Sequence, residues 1–336
     1  MRRFKYQTAA WMTAALLALP GAAMAECGGQ NLLPGLQQSD PTAHQGIFQR
    51  AHEVPNAAGK FWRVEKPGVA PSHLFGTYHD TQAHELVDQS VWDTLAAADG
   101  AWFELSLEEQ ERMQNDMAAN PLELIFDMDA PPLSSRIDPS AAELIEEALA
   151  DRGVPFEAAE QMREWMLVAI LGFPACQFFA MQSGGVALDQ KLASFGVEKG
   201  VPDHGLETYE QALGALESLP FEDFSSMVVE FGASREIEED MRRTRLALYD
   251  AGEIMAISEH GIWWSESQGI PRVREVSDKF LEVALNRRNR AWMEHLVPAL
   301  EAGNAFVAVG ALHLPGDAGL VELLRAEGWT VTRLDG

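Results

Sequence analysis

Phe306-Val307-Ala308-Val309-Gly310-Ala311-Leu312-His313-Leu314-Pro315-Gly316 is the stretch from which the fold can be read. Its first four residues form a short apolar run rich in residues that suit a buried strand. Gly310 ends the run and a histidine follows three positions later. Asp317 to Gly328 then reads as a short helix with a glycine stop, and Trp329 to Leu334 as another strand. A similar unit lies near the other end of the chain. His73-Leu74-Phe75 leads into Gly76-Thr77-Tyr78-His79, a helical stretch follows from about Glu85 to Ala98, and Ala101-Trp102-Phe103-Glu104-Leu105 reads as a strand. Two Gly-x-x-His elements thus stand in matching contexts. The loop beyond the C-terminal end of such a strand is a preferred place for chemistry.

Between these ends the chain reads as helical from about 107 to 300. Asp138-Pro139 is read as a cap and first turn of a helix to about Ala150, and Phe156 to Leu171 as a single apolar-faced helix. Phe221 to Phe231 is read as a further helix, and about Val276 to Leu300 as a long one that Pro298 bends or ends. Lys60 to Glu65 is expected to pair with the His73–Gly76 strand as a hairpin, with Ala101–Leu105 returning alongside that strand. The expected fold is mixed α/β: a sheet built from both ends of the chain around a helical middle, forming one domain over 60–334. Residues 26–59 are expected to be an extension, mainly loop, with one or two helical turns in Gln45–Ala51.

Residues 1–25 have the layout of a secretory signal peptide. Arg2, Arg3 and Lys5 precede the apolar Ala9–Leu19, and Ala23-Met24-Ala25 offers small residues for cleavage. The apolar run is too short to span a bilayer, and Glu26 before Cys27 argues against lipid attachment. The expected location is therefore exported, periplasmic or secreted. Losing Arg2, Arg3 and Lys5 would make the net charge of −26 still more negative. That balance argues against a nucleic-acid surface, which needs clustered Lys and Arg, and against docking on anionic membranes. The two cysteines, Cys27 and Cys176, allow one disulfide in an oxidising compartment, which would tie the N-terminus to the helical middle.

The candidate chemistry follows from the motif histidines. Gly76 and Gly310 permit close backbone approach, and His79 and His313 could meet on one metal ion. Glu104 is the nearest carboxylate in context, because a charge beside Trp102 and Phe103 is costly to bury unless paired or metal-bound. Two imidazoles and a carboxylate make a hydrolytic metal site, for which Mn, Co or Zn would each serve. Asp80 and His84 are candidates for holding an imidazole tautomer. Metal-free acid–base chemistry by a histidine and Glu104 is the alternative. No Gly-x-Ser-x-Gly elbow, Walker loop or dinucleotide fingerprint is present.

The chain resembles the TraB/GumN (PrgY/Tiki-like) family. The resemblance is carried by Phe75–His79, by Ala308–Gly316 with Gly319-Leu320 and Leu323-Leu324, by Gly205-Leu206-Glu207-Thr208 and by Arg288-Asn289. It implies a core shared with exported or membrane-tethered proteases, some of them metal-dependent, and more distantly with lactone-opening and haem-related proteins. It also implies that His79, Glu104 and His313 form the catalytic or metal-binding set. Arg288 would hold a substrate carboxylate or an oxyanion, and Glu207 would be a supporting carboxylate. Tyr78 departs from the aliphatic residue expected in its slot. The expected activity is cleavage of an unknown peptide by a metal-dependent hydrolase. A non-catalytic protein that sequesters a peptide or small molecule in the same cleft is the alternative.

Overall fold

The structure, a computed structural model, describes residues 27–137, 139–218 and 234–335. The expected signal peptide, the Asp138 cap and the Phe221–Phe231 helix lie outside these residues. Six strands form one sheet: β1 (Phe61–Glu65), β2 (Ser72–Thr77), β3 (Gly100–Phe103), β4 (Asp203–Gly205), β5 (Ala305–Gly310) and β6 (Thr330–Arg333). Their order is β4-β3-β5-β2-β1-β6. The first four in that order run parallel, while β1 pairs antiparallel with both β2 and β6. The fold is therefore mixed α/β, with its sheet drawn mainly from the two ends of the chain around a largely helical middle.

The position of β5 explains its composition. Phe306 and Ala308 face a core with Phe75, Phe103 and Tyr249, whereas Val307 and Val309 face another with Leu74, Trp292, Leu296 and Leu300. A strand covered on both faces needs apolar residues at both parities. Burying each of its large side chains contributes roughly 1.5–3 kcal/mol. This same strand corrects the expected sheet order. Ala101–Phe103 does not return beside β2, because β5 lies between them and pairs with both. Glu104 and Leu105 fall just beyond the end of β3.

The region read as loop is helical over Leu33–Ser39 and Pro41–Ala51. Asp40 caps the second helix by accepting from Ala43 N at 2.9 Å, and Pro41 fits its first turn. Leu33, Ile47 and Ala51 are buried in the core that covers one sheet face. Tertiary packing thus recruits a Gly- and Gln-rich stretch whose own pattern is weak. Cys27 and Cys176 are joined by a disulfide, with their Cα atoms 5.3 Å apart. Closing so long a loop contributes about 2–4 kcal/mol, chiefly by restricting the unfolded chain.

Two middle elements also differ from expectation. Phe156–Leu171 is two helices, Phe156–Ala159 and Glu164–Leu171, interrupted where Met162 bridges Phe126 and Arg163 N bonds to Ile125 O. Trp165 is buried here, and Leu167, Ile170 and Leu171 form a third core with Leu133, Ile145 and Leu149. The long C-terminal helix is split into Val273–Phe280, a π-helical Leu281–Asn286 and Arg287–Ala302. Pro298 does not end the last piece, which continues to Ala302. Among the described residues no single helix is long and apolar enough to cross a membrane. One bent pair, Glu164–Leu171 with Ala175–Gln182, passes only on combined length and composition.

Candidate active site

Four parallel strands deliver the candidate residues to one edge of the sheet. His79 follows β2, Glu104 follows β3, Glu207 follows β4 and His313 follows β5. Each motif glycine has its own task. A Cβ on Gly76 would lie 2.9 Å from Ala311 Cα, so glycine lets the Ala311–His313 turn settle against β2. Tyr249 Oη donates to Gly76 O at 2.7 Å and fixes that approach from the core side. Gly310 keeps the centre open. A Cβ there would meet Glu104 Oε1 at 3.2 Å, His313 Cδ2 at 3.5 Å and His79 Nε2 at 3.6 Å. Those three side chains therefore surround one spot.

The two imidazoles are held alike but stand in different environments. His313 is almost fully buried, and its Nδ1 lies 2.6 Å from Asn289 Oδ1. Asn289 Nδ2 donates to His313 O and Ala318 O, so its Oδ1 is the acceptor and His313 carries its proton on Nδ1. Nε2 then offers a lone pair, 3.4 Å from Arg288 Nη1 and 3.7 Å from Glu104 Oε1. Burial pushes the His313 imidazole down to about 3, with Glu104 pulling upward and Arg288 adding to the drop. The side chain of His79 is 51% exposed, and its Nδ1 sits 2.9 Å from Asp189 Oδ1. The Asp189 charge pushes this imidazole up to about 9, against the effect of burial.

Glu104 accepts from Gly310 N at 2.7 Å and from Arg288 Nη2 at 2.6 Å. Burial would raise its pKa, but the Arg288 and His79 charges and the Gly310 N–H together hold the carboxyl well below the usual range. It is a carboxylate at any working pH. Arg288 is saturated. Its Nε and Nη2 grip Glu207, Nη2 also reaches Glu104, and Nη1 donates to Ala284 O at 2.9 Å while facing His313. Trp292 Nε1 donates to the remaining Glu207 oxygen at 3.1 Å, and the Trp292 ring lies under the guanidinium. As they stand, Arg288 therefore organises Glu104, and Glu207 is the buried counter-ion of Arg288.

Two candidates leave the site. Asp80 is buried in a two-point pair with Arg242, at 2.6 and 2.8 Å, and caps Gln82 N instead of an imidazole. The chain turns here, with Asp80 N bonded to Tyr78 O at 2.7 Å, and the Asp80 carboxylate is committed to Arg242. His84 bonds to Thr81 O and Lys191 Nζ. The residues that do orient the imidazoles are Asp189 and Asn289. Asn289 belongs to the Arg288-Asn289 motif, but Asp189 had no signal beyond acidity in the first turn of a helix, Leu188–Glu198.

The profile of the TraB/PrgY/gumN family matches residues 60–333, well over half of the sequence. The chain belongs to the TraB/PrgY/gumN family. Neither the curated proteins nor the solved structures contain a significant match. The matched span takes in every residue of this TraB/PrgY/gumN site, from Gly76 to His313.

The donor set suits a divalent ion chemically: two imidazoles with anchored Nδ1 atoms and an ionised carboxylate. Among the described residues no three His, Cys, Asp or Glu side chains are yet drawn together closely enough to hold one. Asp80 and Glu207, the other carboxylates of the motif segments, are both committed to arginines.

Gly310→Ala tests the open centre. The residue has φ −50°, which alanine adopts without strain. The variant is expected to keep its unfolding midpoint within about 1 kcal/mol of the parent and to lose at least about 100-fold in turnover, because the methyl group enters the space between the three side chains. Equal turnover in parent and variant would remove this spot from the chemistry.

Proposed function

We propose that this protein is an exported, metal-dependent hydrolase that cleaves a peptide bond at the His79–Glu104–His313 cluster. The observation that carries the reading is the paired presentation of the imidazoles. Each is fixed through Nδ1, by Asp189 or Asn289, and His79 Nε2, Glu104 Oε1 and the His313 ring edge border the space over Gly310. Anchoring one ring nitrogen while freeing the other is how ligating histidines are oriented. A divalent ion of the Mn, Co or Zn kind, held by His79, His313 and Glu104, would bind a water of lowered pKa and polarise the scissile carbonyl.

The chain's own groups supply the rest. Glu104, kept ionised by Arg288 and the Gly310 N–H, supplies the negative charge that would hold the ion beside the two imidazoles. His313 stays neutral, so its Nε2 lone pair is available throughout the working range. His79 is protonated when the site is empty and must shed that proton to act as a ligand, which ties loading to pH. Export is supported by the basic–apolar leader with its Ala-Met-Ala cleavage signal and by the Cys27–Cys176 bridge, a bond suited to an oxidising compartment.

The test is elemental analysis of protein purified without chelator, beside a His79→Ala, His313→Ala double variant, followed by peptide and ester hydrolysis with the ion found. About one equivalent of metal per chain and turnover in the parent, both absent from the variant, are expected. A parent that stays metal-free after dialysis against Mn, Co and Zn overturns the metal mechanism. Retained ligand binding with no turnover would leave a sequestering protein using the same cleft.

A further inference from the structure

A half-open cavity of about 280 Å³ borders the chain segments that carry His79 and His313. Two of its wall residues, Tyr78 and Leu312, are the immediate chain neighbours of His79 and His313. The opposite walls come from Ile257 and Ile262 on the Ile254–Ser267 helix and from Phe280 and Leu281 on the helical run that carries Arg288. The lining is mostly aliphatic and aromatic, and Arg245 also borders it. Ser265 lines it too. This residue is 1% exposed, and its Oγ finds no hydrogen-bond partner among the described residues. A buried hydroxyl without a partner calls for a ligand atom or a water to complete it. An apolar cavity of about 150 Å³ is enough to take up benzene, so the space here suits a leucine-, phenylalanine- or tryptophan-sized group.

We propose that this cavity is the specificity subsite, receiving a large apolar side chain of the substrate beside the bond presented to His79 and His313. The substrate role rests on the hydrolase reading above, while occupancy of the cavity does not. Tyr78, which stands where an aliphatic residue was expected, shapes the near wall and stacks on Tyr249 with ring centroids 5.5 Å apart. It gives this chain a pocket of its own.

Two measurements on the full chain test this. The first is fluorescence titration with N-phenyl-1-naphthylamine, comparing the parent with the cavity-filling variants Ser277→Phe and Ser258→Phe and with Gly310→Ala. Ser277 and Ser258 line different walls, so one variant serves if the other fails to fold. Filling is expected to weaken the probe by about tenfold or more, and Gly310→Ala to bind it as the parent does. The second is kcat/KM for N-acetyl-alanine, -leucine, -phenylalanine and -tryptophan p-nitrophenyl esters. The parent is expected to favour the large residues by about tenfold or more, and the filled variants to lose that preference. Equal probe binding in folded filled variants, or an unchanged ester preference, overturns the subsite. Probe binding that vanishes on filling while no ester is turned over supports the cavity and overturns the hydrolase reading alone.

Discussion

Arg288→Ala is expected to lower stability by about 3–5 kcal/mol and to abolish turnover. The guanidinium is the cation between two carboxylates, Glu104 and Glu207, whose side chains are 19% and 5% exposed. Its removal strands both charges away from water, and the survivors of a broken buried pair cost more than the pair itself was worth. Glu207 keeps only the Trp292 N–H, and Glu104 keeps the Gly310 N–H. Both are then driven to take up protons, so Glu104 ceases to be the carboxylate that the chemistry needs. Arg288→Lys keeps the charge but not the fork, and is expected to fall between parent and alanine variant. Urea denaturation with turnover on the same samples checks this. An alanine variant with an unchanged midpoint would mean that the carboxylates are solvated, contrary to the geometry described.

Asp189→Asn is expected to bring the His79 titration in metal-free protein down from about 9 toward the ordinary 6.5. The charge of Asp189 is the largest cause of the elevation, and asparagine keeps the acceptor oxygen while losing that charge. Because the folded-state value lies above the unfolded one, the pair stabilises the fold fully below pH 6.5 and loses its contribution as pH rises through about 9. The asparagine variant is expected to lack that alkaline loss. Proton NMR of the imidazole resonances in chelator-treated protein, assigned by His79→Ala, reads the shift directly. A His79 resonance that titrates alike in parent and variant would detach Asp189 from it.

Much of this was legible in the sequence, for identifiable reasons. Phe306 to Val309 read as a buried strand, and Gly76 and Gly310 mark close approaches because a side chain would collide there or fill the site. Glu104 stood out as a charge attached to Trp102 and Phe103. What stayed hidden was long-range or had no distinctive local signature. Asp203-His204-Gly205 carries no apolar run, yet β4 forms because β3 offers it a partner edge. Leu281 to Asn286 satisfies helical spacing whether the turns are α or π. Asp189 looks like any acidic residue in a first helical turn, and only the tertiary fold brings it to His79. Asp80 looked the better partner because it is adjacent in sequence, but Arg242, 162 residues away in the chain, takes its carboxylate.

The placement of β5 between β2 and β3 has a consequence for the order in which the molecule comes into being. A ribosome makes β1 to β4 first, yet β3 and β2 share no edge until residues 305–310 slide between them. One imidazole waits on the early part and the other arrives with the late strand. Pairing across such sequence separation makes closure slow, so an unfinished or still-unfolded chain carries only half of the candidate centre. Completion of the sheet is the event that brings the two imidazoles together.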